Sequence, residues 1–80
     1  MSELQIEWIA LLQKQDLPGW NIAADGQDVL IQIPDDQDLR LVYDNFPDTV
    51  IALSPDIKAA RRKLRFIIGN SKQSFTYELN

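Results

Sequence analysis

The sequence predicts a two-layer α+β domain: an antiparallel four-stranded meander, two helices on one face, and a C-terminal fifth strand, in the order α-β-β-β-β-α-β. Three observations predict it. Residues 2–15 and 54–68 carry apolar side chains at helical spacing behind cap-forming serines. Residues 20–53 break into short runs separated by Asp, Asn, Gly and Pro, and residues 75–79 alternate. Eighty residues, 45% hydrophobic and 25% charged, fit one domain spanning 1–80.

The first helix starts at Ser2, whose hydroxyl can cap it, with Gln5 completing a capping-box pattern and Glu3 and Glu7 facing the positive end of the dipole. Leu4, Trp8, Leu11 and Leu12 fall on one stripe with Ile9 at its border, and Ile6 lies outside it. Asp16-Leu17-Pro18-Gly19 stops the helix around Gln15.

Trp20 to Ala24 alternates as a first strand, Asp25-Gly26 is a hairpin turn, and Val29 to Ile33 returns. After the polar loop Pro34–Asp38, Leu39, Leu41 and Tyr43 alternate with Arg40 and Val42 as a third strand. Asp44 to Asp48, containing Pro47, turns the chain again into a fourth strand, Thr49 to Leu53.

Ser54-Pro55-Asp56 combines a cap oxygen, a proline at the first helical position and an acid on the dipole. The second helix is expected to run to about Ile68, with Gly69 as its stop and Ile57, Ala60, Leu64, Ile67 and Ile68 as its buried stripe. The last strand is Phe75 to Leu79, and its pairing partner is open.

The chain has no cysteine and no histidine, which removes disulfides, thiol and imidazole catalysis and the usual zinc sites. Its hydroxyl residues have no imidazole to activate them, and Gly19, Gly26 and Gly69 are too scattered for a phosphate cradle. Asp35, Asp36 and Asp38 crowd one loop without EF-hand spacing, so they read as turn residues. The expectation is a non-enzymatic protein that needs no cofactor and no metal. No apolar run approaches a membrane span, and the acidic start Met1-Ser2-Glu3 lacks the basic region of a signal peptide. A cytoplasmic address and no membrane partner are expected.

The net charge of −4 conceals a split. Lys58, Arg61, Arg62, Lys63 and Arg65 place +5 within eight residues of the second helix, which leaves −9 on the rest of the chain. On a helical wheel Lys58, Arg61, Arg62 and Arg65 share one face, Lys63 stands apart, and Phe66 falls beside Arg62. Such a face is either a solvated helix side or a docking surface for an acidic partner. Helix, antiparallel strands and a helix with early basic residues is similar in outline to double-stranded-RNA-binding domains. That resemblance implies phosphate contacts by this helix, although the glycine-rich and histidine-bearing loop motifs are missing.

Two helices cover one face of a sheet. The other is expected to present Ala23, Leu30 and Val42, a modest apolar surface beside an unprotected edge strand. Trp8 and Trp20 are assigned to the core. The function expected is a protein-binding or regulatory module (adaptor, inhibitor or antitoxin-like) whose partner is another protein or a second copy. Its partner-binding residues would be Lys58, Arg61, Arg62, Arg65, Phe66, Leu30 and Val42. Nucleic-acid binding through the second helix is the alternative.

Overall fold

The computed structural model describes residues 1–60 and 63–80. Elements follow in the order α1 (Glu3–Gln13), β1 (Asn21–Asp25), β2 (Asp28–Gln32), α2 (Leu39–Leu53), a 3₁₀ turn (Ser54–Asp56), β3 (Leu64–Gly69) and β4 (Ser74–Leu79). The four strands form one open sheet in the order β1-β2-β3-β4. Its two hairpins are antiparallel, and the central β2–β3 pair is parallel.

The α+β class, the first helix, the first two strands and the last strand match the sequence expectation. The all-antiparallel meander and the five-strand order are corrected. A parallel pair needs a long crossover, and α2 supplies it between β2 and β3.

The expected third and fourth strands are together the single helix α2. Leu39, Val42, Tyr43, Phe46, Val50 and Leu53 follow a spacing of three and four, and this stripe packs onto the sheet. Asp38 caps the helix, its Oδ1 accepting the Leu41 N–H at 3.2 Å. Pro47 sits inside it. Packing of Leu39, Phe46 and Val50, all buried, holds the helix across the proline.

The expected second helix is corrected as well. Ser54-Pro55-Asp56 makes one 3₁₀ turn, after which Ile57 is already extended. Residues 64–69 then form β3, alternating buried Leu64, Phe66 and Ile68 with outward Arg65 and Ile67. Aromatic and β-branched residues suit that pleated surface better than a helix. Gly69 is the end of this strand and not a helix stop. A Cβ there would lie 2.6 Å from Ser74 Cβ on the paired strand.

The β1–β2 turn is centred on Gly26-Gln27, one residue later than expected. Gly26 takes φ +62° and Gln27 does not share the positive φ, the signature of a type II′ hairpin.

Both helices lie on the same sheet face. Phe66, fully buried at its centre, meets Trp8 of α1 edge-on at 5.4 Å and Phe46 of α2 at 5.1 Å. Around this trio pack Leu4, Leu12, Ile22, Val29, Ile31 and Ile68. Gln5 is the one buried polar side chain among the described residues. Its Oε1 accepts the Ser2 N–H at 2.9 Å, completing the capping box. Its Nε2 donates to the carbonyls of Gly26 and Asp28 at 3.0 and 2.9 Å. One carboxamide thus ties the start of α1 to the β1–β2 turn, with every polar atom partnered.

Candidate interaction surface

Strand registers place three cross-strand rows on the sheet face turned away from the helices. The middle row is Ala23, Leu30, Ile67 and Thr76. On one side runs Asp25, Asp28, Arg65 and Glu78; on the other, Asn21, Gln32, Gly69 and Ser74. Leu30 and Ile67 are half-buried by their neighbours, and Ala23 and Thr76 are exposed. The pleat makes this arrangement unavoidable: once Val29, Ile31, Phe66 and Ile68 enter the core, the residues between them face the other way.

The charged row is mixed. Arg65 Nε lies 3.5 Å from Asp28 Oδ1, and Glu78 stands opposite Arg65 on β4. Both partners of the ion pair are partly solvated, so it orients the guanidinium more than it stabilises the fold.

Lys58, Lys63 and Arg65 do not lie on a helix face. Residues 57–60 form an extended connector in which Ile57 and Ala59 are buried and Lys58 and Ala60 point outward. The connector is held by α1: Glu7 Oε1 accepts the Lys58 N–H at 2.7 Å and Oε2 accepts the Ala59 N–H at 2.8 Å. Lys58, Lys63 and Arg65 are exposed. Arg61 and Arg62 lie outside the described residues. A groove of about 660 Å³ opens where the connector, the β1–β2 turn and the start of α1 meet. Lys63 and Arg65 line it together with Asp28, Glu78 and the apolar Ala59 and Leu79.

Of the residues assigned to partner binding from sequence, Leu30 and Arg65 share the open face, and Lys58 lies on the connector. Phe66 and Val42 are corrected. Phe66 is the centre of the core, because a strand turns it opposite to Arg65 where a helix would have set it beside Arg62. Val42 lies on α2, half-buried against the core, because residues 39–43 are helical. Ile67, expected in the buried stripe of a helix, and Thr76 complete the open-face row in their place; the alternation of Leu64, Phe66 and Ile68 is the signal that would have identified it.

Several polar side chains have structural partners. The Asp35 carboxylate accepts the Ser71 N–H at 3.0 Å and the Ser71 hydroxyl, bridging the loop after β2 to the β3–β4 turn. These two bonds, with Lys72 nearby, hold its pKa below the ordinary carboxylate value. Ser54 donates to the Val50 carbonyl at 2.6 Å. Trp20 Nε1 donates to Gln37 Oε1 at 2.9 Å, so this indole braces the loop before α2. Among the described residues no three acidic side chains converge into a metal-binding group, and no helix is long and apolar enough to cross a membrane.

No protein-family model matches the chain, and no curated protein or solved structure matches it.

Proposed function

We propose that this chain is a small cytoplasmic, non-enzymatic module that binds another protein by shape and charge complementarity, using the open sheet face and the adjoining basic connector. One observation carries the reading: both helices pack on the Phe66 side of the sheet, and the opposite side presents an apolar row, Ala23–Leu30–Ile67, between a charged row and an amide-bearing one. An apolar centre with a polar rim is the usual anatomy of a protein interface.

Area decides how much of the surface a partner needs. Four strands about 4.8 Å apart and about six residues long offer roughly 400 Å². A stable interface takes about 800 Å² from each side. The face alone is too small, and Lys58 and Lys63 of the adjoining basic segment, whose charge Arg61 and Arg62 raise, extend it. Leu30 is the apolar anchor and Arg65 the polar one, since arginine is enriched among residues that dominate binding energy.

The test compares wild type with Leu30→Lys and with the triple reversal of Arg61, Arg62 and Arg65 to Glu, all checked for native tryptophan fluorescence. A protein recovered by wild type and lost by both variants supports the reading. Recovery unchanged in both overturns it.

The clustering of five cations within eight residues supports a second reading, nucleic-acid binding through the connector. Retention of RNA or DNA by wild type that falls steeply with salt, and disappears in the triple reversal, would favour it over the first.

A further inference from the structure

We infer that Gln13 and Tyr43 are edge guards: each helix sends one polar side chain around the sheet to occupy an outward-pointing carbonyl of an edge strand, closing β1 and β4 to pairing with a second copy of this chain. Asp25 and Asp28 flank a two-residue turn and form the last hydrogen-bonded pair of the first hairpin. Alternation from there turns the backbone groups of Ile22 and Ala24 away from β2. Gln13 Nε2 donates to the outward Ile22 carbonyl at 3.2 Å.

The second hairpin repeats the arrangement. The Asn70 N–H donates to the Gln73 carbonyl at 2.9 Å, which makes Phe75 and Tyr77 the β4 residues bonded to β3. The Ile33 N–H donating to the Gly69 carbonyl agrees, since it turns Gly69 toward β2. Ser74, Thr76 and Glu78 therefore present their backbone groups to solvent. The Tyr43 hydroxyl donates to the carbonyl of Thr76, the middle one of the three, at 3.1 Å. Its ring rests 5.0 Å from Phe75 and so stands beside the edge.

An incoming strand needs consecutive outward residues to build a ladder. With the middle acceptor of β4 occupied, what is left is the Thr76 N–H without its carbonyl, between isolated bonds at Ser74 and Glu78. β4 is otherwise a proline-free strand of six residues with alternating apolar side chains, the kind of edge that pairs readily. A second β4 is the strand it would take, antiparallel across a two-fold axis.

The experiment is sedimentation velocity over a wide range of concentration. Tyr43→Phe keeps the ring on Phe75 and removes the hydroxyl alone. It is expected to self-associate about 25- to 100-fold more tightly than wild type, the weight of one net hydrogen bond in each of the two copies. Adding Thr76→Pro, which blocks an outward N–H without removing a ladder bond, is expected to abolish that gain. Gln13→Ala tests β1 in the same way and decides the matter if Tyr43→Phe fails to fold. Guard variants that associate no more than wild type overturn the inference, as does a Tyr43→Phe gain that survives Thr76→Pro.

Discussion

The Glu7 carboxylate of α1 accepts the backbone N–H of Ala59 at 2.8 Å and, through its other oxygen, that of Lys58 at 2.7 Å. A side chain near the start of the chain thus fixes the extended connector that delivers residues 64–69 to the centre of the sheet. Hydrogen bonds to a charged acceptor contribute about 1.5–3 kcal/mol each when dry, and less at a half-exposed site. Glu7→Ala is expected to cost roughly 1–2 kcal/mol in urea denaturation. It should also speed tryptic cleavage after Lys58 and Lys63, and unchanged proteolysis would show that Ile57 and Ala59 hold the connector by packing alone.

Gln5→Leu preserves side-chain bulk and removes the three bonds of the carboxamide. The carbonyls of Gly26 and Asp28 lose their donor in a partly buried place, so a loss of about 2–3 kcal/mol is expected by chemical denaturation. Ser2→Ala, which removes the cap oxygen alone, should cost nearer 1 kcal/mol. Equal costs for the two would mean that Gln5 acts only as a capping residue.

Strand alternation makes Phe66 and Arg65 sharply unequal. Phe66→Ala empties the space between Trp8 and Phe46 and should cost about 3–5 kcal/mol. Arg65→Ala removes a partly solvated ion pair and should change stability by less than about 1 kcal/mol. Thermal unfolding of the two variants measures the contrast directly.

Acid stability should depend on Asp35. Its folded-state pKa is lowered by the Ser71 hydroxyl and amide, so the contact contributes fully above the unfolded carboxylate value and is lost as pH falls through the lowered folded value. Asp35→Asn and Ser71→Ala should each unfold at higher pH than wild type, and carbon-detected NMR titration should show the Asp35 pKa returning toward its ordinary value in Ser71→Ala. Coincident acid-unfolding curves would remove the contact from the pH response.

The parts of this fold legible in the sequence are those whose signals are local. The capping box at Ser2 and Gln5, the glycine of the first hairpin and the alternation of Phe75, Tyr77 and Leu79 each specify structure within a few residues. The middle of the chain carries two periodicities at once. Leu39, Leu41 and Tyr43 alternate, while Leu39, Val42, Tyr43, Phe46 and Val50 keep helical spacing, and Pro47 argues for a break that packing overrides. Residues 57–68 are ambiguous in the opposite sense. Their apolar positions fit a helix, yet Phe66-Ile67-Ile68 is a strand-forming run, and the choice is made by the place waiting beside β2. Leu30 could be assigned to the open face because its strand was recognised. Val42 and Phe66 are misplaced by the sequence, because a helix stands where a strand is expected and a strand where a helix is.

The parallel seam between β2 and β3 has a consequence for how the protein is made. The strands of each hairpin leave the ribosome close together, whereas residues 28–32 emerge well before residues 64–69 follow them out. Gln13 sits on the far side of β1 and does nothing for the inner margin of β2. Until α2 and β3 have emerged, Val29 and Ile31 hold out a row of unsatisfied amides and carbonyls beside bare apolar side chains. The nascent chain is therefore most vulnerable to mispairing along a line that, once the protein is finished, lies at its centre.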